Sequence, residues 1–127
     1  MKFLIVDDVS MVRRVLCMLI DEMGENQCVE AENGAAALDL LRNGLFDFVI
    51  TDINMPQMDG WELLAEIRGD LRLKNLPVLL ITGNLGAQDR IRVESCGADG
   101  FLLKPFTLAT LREKVAGIVE AANDIAV

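Results

Sequence analysis

The sequence predicts an α/β fold: a single five-stranded parallel sheet with helices on both faces. Strand-like and helix-like runs alternate five times along 127 residues, a pattern that calls for parallel strands joined by right-handed helical crossovers. Two of the strand-like runs, Phe48-Val49-Ile50-Thr51 and Val78-Leu79-Leu80-Ile81, are apolar or β-branched throughout, as strands are when both faces of a sheet are covered. Four runs end in polar residues, namely Asp7-Asp8, Asp52, Thr82 and Lys104. In open parallel sheets, ligands bind beyond the carboxyl ends of the strands.

Lys2-Phe3-Leu4-Ile5-Val6 is the first strand. Ser10 is placed to cap the helix that follows, in which Val12, Val15 and Leu16, Leu19 and Met23 recur at helical spacing and Arg13 and Arg14 read as a solvated face. Gly24 closes this helix. Cys28 to Ala31 forms the second strand, Asn33-Gly34 a turn, and Ala35 to Asn43 a helix with Leu38 and Leu41 on one face, ended by Gly44. The strand carrying Asp52 comes next. A loop punctuated by Pro56 and Gly60 leads into a short helix with Trp61, Leu64 and Ile67 inward. A charged connection, Arg68 to Asn75, precedes the strand Pro77 to Thr82. A mostly polar helix runs from about Gly86 to Ser95, with Ala87, Ile91 and Val93 its apolar positions. Gly100 to Lys104 is the fifth strand, stopped by Pro105, which has no N–H for a ladder. Thr107 caps a last helix with Leu108, Leu111, Val115 and Ile118/Val119 inward.

Composition narrows the function. The length suits one domain, residues 1–127, and 52% hydrophobic residues are enough to fill one core. With no histidine in the chain, catalysis by a Ser-His-Asp or Cys-His arrangement is excluded. A net charge of −8 argues against nucleic acid and against anionic membranes as partners. Cys17, Cys28 and Cys96 are odd in number and far apart, and read as small core hydrophobes in a reducing compartment. No apolar run has the length of a signal peptide core or a membrane span. A cytoplasmic location is expected.

The strand ends carry the chemistry. A lone Asp at a strand end reads as a cap or a terminus; four polar strand ends meeting on one edge do not. Asp7, Asp8 and Asp52 together repel one another, and oxygen ligands of this kind suit Mg²⁺. Lys104 supplies a compact positive charge. Metal, amine and hydroxyl are the parts that position a transferring phosphoryl group, and a carboxylate, Asp52, can be the nucleophile.

The pieces Val6-Asp7-Asp8, Asp52-Ile53-Asn54-Met55-Pro56-Gln57-Met58-Asp59-Gly60, Thr82-Gly83 and Phe101-Leu102-Leu103-Lys104-Pro105-Phe106, in that order and each at a strand end, resemble the response-regulator receiver domains of two-component signalling, and among them the stand-alone chemotaxis type. The resemblance covers nearly the whole chain. It implies a flavodoxin-like sheet in the order 2-1-3-4-5 and a phosphorylation-activated signalling switch, in chemotaxis or another pathway. It implies Asp52 as phosphoacceptor from a histidine kinase or phosphotransfer protein, with Asp8, Asp52, Asp7 through water and the Asn54 backbone carbonyl around Mg²⁺. Lys104 would contact the phosphoryl oxygens. Thr82 and Phe101 would be the switch pair, with a downstream protein bound on the face of the fourth helix, fifth strand and fifth helix. A monomer is expected, not an enzyme beyond its own phosphotransfer and dephosphorylation. Asn54 and Asn84 occupy the positions that tune phosphate lifetime in the family.

Three other readings compete. One takes the chain as a receiver module cut from a larger kinase or regulator. An aspartyl-phosphate hydrolase would place an acid two residues after the nucleophile, where this chain has Asn54. A nucleotide-binding domain would need a glycine-rich first turn, where this chain has Asp7-Asp8-Val9-Ser10.

Overall fold

The computed structural model describes residues 1–83 and 86–126, leaving aside the side chains of residues 87, 88, 90, 94 and 124–126. Strands β1 (Lys2–Val6), β2 (Gln27–Ala31), β3 (Phe48–Asp52), β4 (Val78–Thr82) and β5 (Gly100–Leu103) alternate with helices α1 (Ser10–Glu22), α2 (Gly34–Asn43), α3 (Gly60–Gly69), α4 (Ala87–Ser95) and α5 (Leu108–Ala126). All strand pairs are parallel, in the order β2-β1-β3-β4-β5. The central strands β3 and β4 are buried along their whole length, which is why their sequences show no alternation.

Side chains alternate across the sheet and sort into two cores. Phe3, Ile5, Phe48, Ile50, Leu79, Ile81 and Leu102 face Leu16 and Ile20 of α1 and Leu111, Val115 and Ile118 of α5. Leu4, Val6, Val49, Val78 and Leu80 face Leu38 and Leu41 of α2 and Trp61, Leu63, Leu64 and Ile67 of α3. At the far end from the acids, Arg68 of α3 ties that helix to the loops that precede β4 and β5. Its guanidinium donates to the carbonyls of Lys74, Leu76 and Gly97 and to the Asp99 carboxylate, at 2.7–3.1 Å. Among the described residues no helix is long and apolar enough to cross a membrane.

Four expectations need correction. Ser10 does not cap α1. The cap residue is Val9, in extended backbone, and its N–H donates at 2.8 Å to Asp7 Oδ1. The carboxylate two residues upstream turns the chain, so the helix begins at Ser10 itself. Within α1 the buried positions are Leu16 and Ile20, while Val15 is 48% exposed. Val12, Leu19 and Met23 pack against the same core, so Val15 alone of the expected positions leaves the inward face. Arg13 is not a solvated residue, as its partners below show. The cysteines are free but only half-buried. Burial is still enough to raise Cys17 and to push Cys28 up to about 12, so both stay protonated and unreactive at neutral pH.

Two local devices hold the Asp52 loop. Asp59 caps α3 by accepting from the Glu62 N–H at 2.8 Å, and Glu62 returns a bond to the Asp59 N–H. Gly60 then donates its N–H to the Ile53 carbonyl at 2.8 Å. A Cβ at Gly60 would strike the Asp52 carbonyl oxygen and lie 2.8 Å from the Ile53 Cα. The helix can start this close to the end of β3 only with glycine there. Gly60→Ala is therefore expected to lower the unfolding free energy by about 1–3 kcal/mol, read from urea denaturation. An unchanged midpoint would show that the loop relaxes freely.

Candidate functional site

Register and alternation place the site. Val6 is level with Thr51, and Asp52 with Ile81. Asp7 and Asp52 are each the next residue, so they lie side by side on the face that continues Phe3, Ile5, Phe48 and Ile50. Thr82 is level with Leu103 on β5. Lys104, two residues past Leu102, returns to the face of Asp7 and Asp52. Its backbone N–H donates to the Thr82 carbonyl at 2.8 Å, which ties the lysine to the end of β4. By the same alternation Thr82 and Phe101 belong with the opposite face.

The charges meet as this geometry requires. One carboxylate oxygen from each of Asp7, Asp8 and Asp52 lies within 4.8 Å of the others. Asp7 is 1% exposed and Asp52 9%; Asp8 faces solvent. The Lys104 ammonium donates to Asp7 Oδ2 at 3.3 Å and sits 3.7 Å from Asp52 Oδ1. With an effective dielectric of ~20, an Asp7–Asp52 separation of at most 4.8 Å means a repulsion of at least about 3.5 kcal/mol, and each lysine contact returns about 4–5 kcal/mol. One amine thus holds the two buried acids together. Set against three carboxylates, it leaves the pocket negative, with hard oxygen donors of the kind that fit Mg²⁺.

Asp52 records the balance. Its carboxyl is raised above the ordinary range, first by loss of solvent. Lys104 opposes that rise, Asp7 adds to it, the Ile53 N–H at 2.9 Å opposes it, and Asp8 adds to it last. Burial and like charge outweigh the amine and the backbone donor.

The structure thus brings Asp7, Asp8, Asp52 and Lys104 into one pocket. Thr82 is buried at its rim. Asn54 is exposed two residues past Asp52, and Asn84 lies outside the described residues. Phe101 is half-buried on the far side of β5, with its ring 6.1 Å from that of Trp61. The Arg92 guanidinium lies over the Trp61 ring, 4.6 Å from its centroid. Sequence reasoning treated Trp61 as packing alone and did not find this bridge from α3 to α4 and β5. It also missed Arg13, whose Nη1 donates to the Asp7 carbonyl at 2.6 Å. The only trace in sequence is a basic residue one and a half helical turns after the acid pair.

A family model for the response regulator receiver domain matches residues 3–116. The chain belongs to this family. Chemotaxis protein CheY-3 of Vibrio cholerae is 48% identical over 120 residues, 94% of this chain and 92% of that protein. Chemotaxis protein CheY of Pseudomonas aeruginosa is 44% identical over 97% of this chain and 99% of its own. Among solved structures, response regulator protein TrrA of Thermotoga maritima, in complex with Mg²⁺-BeF, is 34% identical with a TM-score of 0.81, over 92% of this chain and 97% of that one. This receiver domain is therefore homologous to CheY proteins. Receiver domains take phosphoryl groups from histidine kinases and signal to downstream partners, as switches and not as conventional enzymes. They bind Mg²⁺ at an acidic pocket, and Asp7, Asp8 and Asp52 form an acidic cluster here.

The raised Asp52 fixes the sign of a pH effect. A carboxyl with a folded pKa above its unfolded value of about 3.9 costs stability as pH rises through that interval. In chelator at neutral pH, Asp52→Asn is expected to melt a few degrees above the parent, with the gap closing as the pH falls to about 3.5. A parent that melts higher at neutral pH would contradict the balance described above.

Proposed function

We propose that Asp52 is the phosphoacceptor of this receiver domain and takes its phosphoryl group from the phosphohistidine of a histidine kinase or phosphotransfer protein. The observation that carries the reading is Lys104, 3.7 Å from Asp52 and 3.3 Å from Asp7, inside a cluster of three carboxylates. A nucleophilic carboxylate must be ionised when the donor arrives. Burial works against ionisation, and Lys104 with the Ile53 N–H offsets part of that effect. An Asp52 oxygen attacks phosphorus, a P–O bond forms and the P–N bond to the imidazole breaks. Lys104 then exchanges its carboxylate contacts for phosphoryl oxygens.

Asp7, Asp8, Asp52 and the Asn54 carbonyl are the residues that would hold Mg²⁺. When bound, the ion neutralises charge on the pocket and on the transferring group. Asp7, already engaged by Lys104 and the Val9 N–H, is suited to act through water.

Thr82 and Phe101 are the switch pair in this reading. The Lys104 N–H bond to the Thr82 carbonyl links the phosphate-binding amine to β4, and Phe101 leans on Trp61, which meets Arg92 of α4. A change at Thr82 therefore reaches the surface formed by α4, β5 and α5. Ile91 and Leu103 stand exposed there, at 76% and 53%, and offer apolar contact to a downstream protein. Residues 1–127 act as one receiver domain and as a monomer, and chemotaxis as the pathway is supported by the CheY relatives. A cytoplasmic location goes with this reading and is supported by three cysteines that remain free thiols.

Incubation with acetyl phosphate and Mg²⁺ is expected to add one phosphoryl group to the parent and none to Asp52→Asn, read by intact-mass spectrometry. Equal modification of the two proteins would remove Asp52 from the role.

A further inference from the structure

Arg13 has no part in the roles assigned so far, yet it touches the acid pair more closely than any other residue of α1. Its side chain is only 16% exposed. Nη1 donates to the Asp7 carbonyl oxygen at 2.6 Å, and Nε donates to Glu30 Oε1 at 3.0 Å. Glu30 lies on β2, level with Ile5 of β1. The guanidinium therefore spans from a neighbouring strand to the turn that holds Asp7 and Asp8.

The position of that bond matters. The Asp7 carbonyl belongs to the peptide unit whose N–H is that of Asp8, so fixing the carbonyl fixes the plane from which Asp8 departs. The rest of Asp7 is fixed as well. Its N–H donates to the Ala31 carbonyl at 3.2 Å, Oδ1 accepts from Val9, and Oδ2 accepts from Lys104. Arg13 supplies the remaining restraint. Asp8 is exposed, yet one of its oxygens lies within 4.8 Å of oxygens of Asp7 and Asp52.

We propose that Arg13 is a positioning residue for divalent-cation binding: clamped by Glu30, it orients the Asp7–Asp8 peptide so that Asp8 faces Asp52. The proposal rests on the reading of this pocket as a Mg²⁺ site and assigns a residue outside the ligand set to it. Partners behind metal ligands typically govern affinity by tenfold or more.

The competing accounts predict different signs. If Arg13 acted through charge alone, its removal would make a negative pocket more negative and tighten Mg²⁺ binding. If it served only to stabilise the fold, the melting temperature in chelator would fall and the dissociation constant would not move. A positioning role predicts weaker binding in Arg13→Ala. It also predicts weaker binding in Arg13→Lys, which keeps the charge and loses the planar fork.

The test is calorimetric titration of Mg²⁺ into the parent, Arg13→Ala and Arg13→Lys, with circular dichroism in chelator to confirm that each is folded. The expected result is a dissociation constant raised about tenfold in Arg13→Ala and severalfold in Arg13→Lys. Unchanged or tighter binding in folded Arg13→Lys would overturn the proposal and leave the metal site standing, and this conservative variant decides the matter if Arg13→Ala does not fold. A parent that binds no Mg²⁺ would overturn the metal site and the proposal with it.

Discussion

Two aspartates out of water, with oxygens within 4.8 Å of each other and of a third, are a liability that this fold tolerates because of one ammonium group. Lys104 reaches Asp7 and Asp52 from the end of β5. Without it, the edge of the sheet would carry unanswered negative charge in a place where solvent cannot screen it. With it, the acids are held together but not neutralised, and the remaining charge and hard oxygen donors suit a divalent cation. In the role proposed for Asp52, the same arrangement serves a nucleophile, since the group that answers its charge can move on to a phosphoryl oxygen.

The rest of the architecture serves that contact. Parallel strands in fixed register put Asp7 beside Asp52, and two-residue alternation returns Lys104 to their face. Thr82 and Phe101 fall on the opposite parity, toward α3 and α4. This splits the molecule into a charge-holding side and a side able to report. The Lys104 N–H bond to the Thr82 carbonyl joins the two. Gly60 and the Asp59–Glu62 cap keep the loop after Asp52 tight against β3.

Much of this was legible in the sequence. Continuous apolar runs marked β3 and β4, and polar residues at four strand ends marked the pocket, because both signals depend only on local composition and on the parallel topology. The strand order came with the family resemblance, since no local signal fixes which edge β2 and β5 take. What stayed hidden depends on tertiary contact. Ser10 has the chemistry of a cap, but the Asp7 carboxylate reaches the Val9 N–H first and moves the helix start. Val15 fits the helical period, but the true buried stripe runs through Leu16 and Ile20. Arg13 looks like any surface arginine until β2 brings Glu30 beside it. Trp61 looks like filler until Phe101 and Arg92 are placed around it.

If Asp7, Asp8 and Asp52 hold a divalent cation and Lys104 holds them in check without it, the most direct measurement is the melting temperature of the unmodified protein against Mg²⁺ concentration. A ligand that binds only the folded chain raises stability by RT ln(1 + [L]/Kd), so the midpoint should climb with log Mg²⁺ and the climb should vanish in Asp52→Asn. A midpoint that is the same in Mg²⁺ and in chelator would contradict the account.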